Sequence, residues 1–260
     1  MNSKRMVLAE IVLGIVQGVF EWLPISSEGM LALISSVVFK DTLLQSVQLA
    51  LFLHIGTLFS IGVFYWNDFM GLLKKPNSPL FRFLLVSSIF SGVAGLLTYA
   101  TLSLISGGIG VYAMLLISVA LVFTAYLQRA WHLKKHSTVT RVSARQAAIV
   151  GAAQGFALVP GISRSGITLS TLLMFNIEAD EALRLSFMMS VPAVLMANIF
   201  LQFQGFSITP GLVIGAFVAF LVGLFTIKAL TGLVKKISFW KVCLALAALN
   251  VVAVLVTVFV

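Results

Sequence analysis

Apolar residues in this chain come in long runs, not in the alternation of period 2 or 3.6 that marks strands and surface helices. About 20 mostly apolar residues make a helix long enough to cross a bilayer. Six such runs occur, at about 46–66, 82–103, 108–128, 183–203, 210–230 and 242–260. Two further segments, about 7–38 and 146–177, are apolar but interrupted. Each is too long for one span and carries Pro, Gly and Ser near its middle: Pro24, Ser26, Ser27 and Gly29 in the first, Pro160, Gly161, Ser163, Ser165 and Gly166 in the second. Irregular backbone at membrane depth is tolerated only where protein buries it or a wet cavity receives it. Both segments are therefore read as re-entrant helical hairpins, pairs of half-helices entering and leaving on one side. Two short ordinary spans per segment is the alternative.

Composition points the same way. Of 260 residues, 60% are hydrophobic and 10% charged, with mean hydropathy +1.10, whereas soluble domains are about a quarter charged. So few charges cannot cover the wet surface of a globule this size. That excludes an ordinary soluble protein, a disordered chain and a nucleic-acid binder, despite the net charge of +9. Lys4 and Arg5 before an apolar run resemble a signal start, but Glu10, Gln17 and Glu21 interrupt the run and no small-x-small cleavage site closes it, so no cleaved leader is expected. The single cysteine, Cys243, allows no intrachain disulfide and is expected to pack.

Basic residues gather in three connections: Lys74, Lys75 and Arg82; Arg129, Lys134, Lys135, Arg141 and Arg145; and Lys228, Lys235, Lys236 and Lys241. The connections around 104–110 and 204–210 carry no charge. The positive-inside rule puts the basic loops in the cytoplasm and the bare ones outside. The first hairpin then opens outward and the second inward, with Lys4, Arg5 and Lys40 against the rule. A hairpin plus three spans occurs twice, and an odd number of spans per half turns the halves opposite ways. The predicted fold is an all-α integral membrane protein: six transmembrane helices plus two re-entrant hairpins in an inverted repeat. It forms a single membrane domain over 1–260, with repeat one about 1–128 and repeat two about 144–260. Gly14, Gln17, Gly18, Pro24 and Ser26 echo Gly151, Gln154, Gly155, Pro160 and Ser163, with only the proline slipping by one. Folds of this kind bind their ligand where the two breaks meet.

A polar or ionisable side chain inside a membrane is costly and marks a functional site by default. Glu21 lies one helical turn after Gln17 on the same face, and Ser26, Ser27 and Glu28 follow at the turn. In the second hairpin, Arg164 is the only basic residue between Arg145 and Arg184. Its guanidinium suits a planar anion such as phosphate. Ser163, Ser165 and Thr168 add hydroxyls, and a half-helix beginning near Ser165 or Gly166 would aim its free N–H groups at the same spot. An anion cradle and a structural Arg164–Glu21 pair are compatible readings. Phosphate beside carboxylates calls for a divalent cation or a proton, and Mg²⁺ often takes one or two carboxylates plus substrate phosphates. A phosphate site at membrane depth suggests a phosphorylated lipid.

At these residues the chain resembles the undecaprenyl-diphosphate phosphatase, or bacitracin-resistance, family. Gln17 to Glu21 followed by Trp22-Leu23-Pro24-Ile25-Ser26-Ser27 is similar to its E/Q-x-x-x-E element and Pro-x-Ser-Ser turn. His54-Ile55-Gly56-Thr57 resembles its His-x-Gly-Thr segment, and Pro160 through Ser165 with Thr168 resembles its Pro-Gly-x-Ser-Arg-Ser-x-x-Thr signature. The resemblance implies a plasma-membrane hydrolase that converts a polyprenyl diphosphate carrier lipid to the monophosphate plus inorganic phosphate. It implies a divalent cation (Mg²⁺ or Ca²⁺) at Glu21 and Gln17. The implied diphosphate contacts are Arg164, Ser163, Ser165 and Thr168, with Ser26 and His54 as further substrate contacts and Ser27 touching or attacking the phosphoryl group. The expected partners are the lipid, the membrane and a second copy in a homodimer, with no nucleic acid.

One departure bears on the chemistry. The family pattern continues Ser-Ser with Thr-Gly-His, whereas this chain has Glu28-Gly29-Met30. A serine hydroxyl needs an adjacent base to attack. Glu28 is one candidate base and His54, from the next span, is another. A third reading is a protein that no longer hydrolyses and instead moves a polyprenyl phosphate across the bilayer.

Overall fold

The computed structural model describes residues 3–39, 42–105, 110–132, 140–234 and 237–259. Lys40, Lys134, Lys135, Lys235 and Lys236 of the charge pattern lie outside the described residues. Helices are the only regular secondary structure among the described residues. The first interrupted segment is α1 (Ser3–Phe20) and α2 (Ser27–Val38); the second is α7 (Ala144–Gly155), one 3₁₀ turn (Phe156–Leu158) and α8 (Arg164–Met174). The six apolar runs are α3 (Leu43–Phe64), α5 (Pro79–Ile105), α6 (Gly110–His132), α9 (Ala179–Phe203), α10 (Pro210–Val234) and α11 (Phe239–Phe259). Four of these, α3, α5, α9 and α10, are long and apolar enough to cross a membrane; the apolar portions of α6 and α11, Met114–Ala130 and Phe239–Val252, are shorter.

Local chemistry sets the helix starts. Thr42 with Gln45, and Ser143 with Gln146, form capping boxes at α3 and α7. Glu178 accepts from the N–H groups of Asp180 and Glu181 at the start of α9, where three carboxylates also suit the helix dipole. An element missed by the hydropathy reading is α4 (Trp66–Lys74), a nine-residue amphipathic helix with no buried residue. Arg184 of α9 holds it through Asp68 at 2.6 Å while pairing with Glu181 at 2.7 Å. A segment too short to span and polar on one face gives no signal in a span-length reading.

Packing pairs the two halves crosswise. α1 lies against α10, and α7 lies against α5; α3 also packs on α10 and α9, and α6 packs on α11. Two glycines permit the first two contacts. A Cβ on Gly14 would run into the backbone of Gly215, and one on Gly151 into the backbone of Ser87. Close backbone approach through small residues is how helices associate where lipid removes the hydrophobic drive. The outward faces are apolar: Ile89, Val93 and Leu97 on α5 and Val213, Phe217 and Phe225 on α10 are exposed. Apolar surface on this scale fits a lipid solvent.

Replacing Gly14 or Gly151 with Val is expected to lower stability by about 1–3 kcal/mol through overpacking, read as earlier thermal unfolding in detergent. Gly62→Ala, at a helical glycine with nothing within 4 Å, is the control and should not lower it.

Candidate active site

The two breaks in the chain meet. Between α1 and α2 the backbone turns through Glu21–Ser26, and Ser26 takes a left-handed conformation (φ 67°) that a non-glycine residue adopts only under constraint. The constraint is visible: its Oγ accepts from the N–H of Gly29, capping α2, and from the N–H of Gly161 in the other turn, both at 3.1 Å. In the second break Gly161 has φ 100°, and its missing Cβ leaves room for the backbone of α6 at Ile117. Ser163 caps α8 by accepting from Gly166 N–H at 3.1 Å, and its hydroxyl also meets that of Ser165 at 3.3 Å. Ser165 donates to the Leu23 carbonyl of the first turn at 3.3 Å.

Helix α6 straps both turns. The Thr124 hydroxyl donates to the Gly161 carbonyl at 3.0 Å and accepts from Ser163 N–H at 3.2 Å. One turn along, the Gln128 amide donates to the Pro24 carbonyl. Neither residue was singled out in the sequence, although two polar side chains four apart in an apolar run are themselves a signal. Cys243, buried as expected, donates to the same Pro24 carbonyl at 3.4 Å. Trp22 is fully buried beside the turn, edge-to-face with Phe187 at 5.6 Å, its Nε1 donating to Thr226 at 3.0 Å.

This frame holds a charged cluster. Glu21, only 3% exposed, pairs through Oε1 with Nη2 of Arg164. Its Oε2 accepts from Gln17 Nε2 at 2.8 Å and from Ser27 Oγ at 2.9 Å, and lies 3.0 Å from His54 Nε2. Glu28 Oε1 is 3.2 Å from the same His54 nitrogen, and its Oε2 is 3.5 Å from Ser27 Oγ. The Nδ1 of His54 meets the Ala50 carbonyl at 2.6 Å. That oxygen only accepts, so Nδ1 carries a proton and Nε2 is the atom facing both carboxylates.

The arrangement leaves capacity for a ligand. Nη1 of Arg164 and Oε1 of Gln17 are buried with no hydrogen-bond partner, an arrangement natural proteins seldom keep without a use. Ser26, Ser163 and Ser165 are at the site, but their hydroxyls serve the turns. The Thr168 hydroxyl is turned to the Arg164 carbonyl at 2.8 Å and the Ser186 hydroxyl at 2.6 Å. Gln17 is braced by Thr57 at 3.3 Å. Among the described residues no group of three or more His, Cys, Asp or Glu has a metal-holding arrangement. The oxygen donors at hand are Glu21, Glu28 and the free amide oxygen of Gln17. They are hard ligands of the kind Mg²⁺ and Ca²⁺ take, with the rest of the shell left to a substrate phosphate.

Glu28, His54 and Arg164 also line one end of a cavity of about 360 Å³ whose remaining walls, from α3, α5, α7 and α9, are largely apolar. A guanidinium and a carboxylate at one part of an otherwise largely apolar cavity give it the polarity of an amphiphile's environment. Residues 10–252 match the family model described as bacitracin resistance protein BacA, and the chain belongs to that family. It is 40% identical to the undecaprenyl-diphosphatase of Methanococcoides burtonii, across 93% of this chain and 96% of the relative. It is 36% identical to the protein of the same name from Haloarcula marismortui, across 95% and 96%. A third relative of that name, from Thermotoga maritima, is 36% identical across 94% and 99%.

Arg164→Met should leave Glu21 buried without its main counter-charge and cost about 3–5 kcal/mol, measured by thermal or denaturant unfolding in detergent. Adding Glu21→Gln should restore most of that loss. Equal losses that simply add would refute the coupling.

Proposed function

We propose that this protein is a polyprenyl diphosphate phosphatase of the plasma membrane, taking an undecaprenyl-type diphosphate to the monophosphate and inorganic phosphate. The observation that carries the reading is the buried Glu21–Arg164 pair joining the two breaks, with Ser27, Glu28 and His54 around it and an unpartnered guanidinium nitrogen beside an apolar chamber. The names of the relatives, undecaprenyl-diphosphatase, agree with it. Translocation without hydrolysis is the weaker reading, because a carrier has no need of a serine hydroxyl held between two carboxylates.

The membrane arrangement in this proposal is six spans, α3, α5, α6, α9, α10 and α11, with α1–α2 and α7–α8 as re-entrant hairpins. Repeat one is about 1–128 and repeat two about 144–260. Supporting it, α2, α7 and α8 have 12, 12 and 11 residues, a rise of under about 20 Å against a hydrocarbon core of about 30 Å; α1 is longer at 18. The crosswise packing, α1 on α10 and α7 on α5, is the exchange an inverted repeat requires. A homodimer belongs to the same reading.

In the reaction, water adds across the phosphoanhydride: the terminal phosphoryl leaves as inorganic phosphate and the lipid phosphate keeps the bridging oxygen. Arg164 turns its free Nη1 to the diphosphate oxygens while Nη2 stays on Glu21, so the two ends of the guanidinium fork join carboxylate and substrate. Ser163, Ser165, Thr168 and Ser26 shape the wall around that anion. Glu28, standing where the family pattern has no acid, takes the proton from the attacking oxygen: a water beside Ser27, which gives inorganic phosphate directly, or Ser27 Oγ, whose phosphoserine a second water then hydrolyses to free phosphate and the serine. Glu21 holds Ser27, Gln17 and His54 in register. A divalent cation bound by Glu21 and Gln17 would supply charge neutralisation between carboxylate and phosphate and polarise the phosphoryl group.

The test is phosphate release from a polyprenyl diphosphate by the purified protein, with and without chelator. Turnover is expected, with loss on chelation. Arg164→Lys keeps the charge and loses the fork, and should cost at least about 100-fold in kcat, the scale of one lost transition-state donor. Glu28→Gln should fall comparably. Wild-type rates in Arg164→Lys, or lipid transfer across vesicles with no phosphate released, would overturn the reading.

A further inference from the structure

The chamber below the charged cluster is kept open by residues that have no packing reason to be small. Gly92 and Gly95 of α5 line it. A Cβ at Gly92 would first meet Met196 at 3.9 Å, and one at Gly95 would meet the Leu158 side chain at 3.6 Å. These are ordinary contact distances, unlike the backbone collisions at Gly14 and Gly151. Across the space, α9 contributes Ala193 and Ala197, just after Pro192 interrupts its hydrogen-bond ladder. Four small residues on two facing helices line this space, and at the two glycines a Cβ would fit without collision.

That volume has a size and a direction. An apolar cavity of about 150 Å³ admits a benzene ring of six carbons, so about 360 Å³ has room for roughly 14 carbons. Along α9 the lining runs from Ala193 to Phe203, about 15 Å at 1.5 Å per residue. An isoprenoid unit of four chain bonds spans roughly 4.5–5 Å, scaled from the 3.3–3.6 Å of three bonds in an extended peptide. Volume and length each give about three C5 units. At the far end Tyr99 and Phe200 meet edge-to-face at 5.0 Å, and Gln48 fixes the Tyr99 hydroxyl at 2.8 Å. Leu97 of α5 is exposed near that end, and Ile199 and Phe203 of α9 line the chamber while largely exposed, so it opens to the surroundings there.

We propose that this chamber is the tail-specificity site, taking about the first three isoprenoid units next to the diphosphate. Gly92 and Gly95 keep it open, and the remaining tail passes the Tyr99–Phe200 pair into the bilayer between α5 and α9. The inference rests on the diphosphatase reading for its substrate. It follows that the protein reads the tail near the head group and is blind to length beyond about 15 carbons. The distal tail stays in the same apolar medium before and after binding.

Two measurements test this. In a phosphate-release assay at equal micellar mole fraction, C15, C20 and C55 prenyl diphosphates should give kcat/KM within about threefold of one another. Gly95→Leu should lower kcat/KM for the C15 diphosphate at least tenfold more than for the C5 diphosphate, which reaches only the head of the chamber. A steep rise from C15 to C55, or equal losses on C5 and C15, overturns the proposal. The second measurement needs no turnover. A C15 prenyl phosphate with a diazirine at its tail end should label α5 between residues 91 and 99 or α9 between 193 and 203. An unlabelled C15 prenyl phosphate should compete, and a phospholipid should not. Labelling elsewhere, or equal competition by phospholipid, overturns the chamber assignment. Absence of phosphate release from every diphosphate, with this labelling intact, instead overturns the diphosphatase reading alone.

Discussion

A carboxylate and a guanidinium buried in a membrane protein cannot each stand alone, and the rest of this structure depends on bringing that pair together. Glu21 and Arg164 come from segments 143 residues apart, and neither could be buried without the other: an uncompensated charge in low dielectric costs several kcal/mol. Their contact therefore ties the first break to the second. Everything else at the site adds to it, with Gln17, Ser27 and His54 satisfying the second oxygen of Glu21 and Glu28 closing on the same His54 nitrogen.

Broken helices expose backbone groups, and at membrane depth each must be met by protein. The two turns do this for one another. Ser26 accepts from Gly161, Ser165 donates to Leu23, and α6 reaches both turns through Thr124 and Gln128. The serines that look like an anion cradle in the sequence are thus the struts that hold the two turns together. Pre-formed geometry of this kind is what lets a small set of donors act on a developing charge without reorganising. The price is a strained Ser26 backbone, tolerated because its hydroxyl has two N–H partners.

Small residues have opposite uses in the two kinds of helix contact. At Gly14 and Gly151 the missing side chain brings backbones together, and the crosswise packing of the two halves follows. At Gly92 and Gly95 it keeps helices from filling the space between them, and a chamber follows. Three members of the charged cluster, Glu28, His54 and Arg164, line that chamber, so part of its wall is polar and the rest largely apolar.

The positions of the apolar helices and of the breaks were legible because each depends on local quantities: the length of an apolar run, and Pro, Gly and Ser where a helix cannot continue. The six apolar runs and both interrupted segments reappear as helices within a few residues of their sequence limits. The members of the cluster were legible too, because Glu21, Glu28 and Arg164 are conspicuous in apolar surroundings. Other features were not. That His54 faces both carboxylates, that Thr124 and Gln128 strap the turns, and that Thr168 turns toward Ser186 depend on which helices are neighbours and how each is rotated. The amphipathic α4 and the chamber between α5 and α9 were equally hidden. Hydropathy along a chain measures preference for lipid, which is a one-body property of each segment. Contact across segments is a two-body property, decided only when backbones close on one another and every buried polar atom has to find its partner.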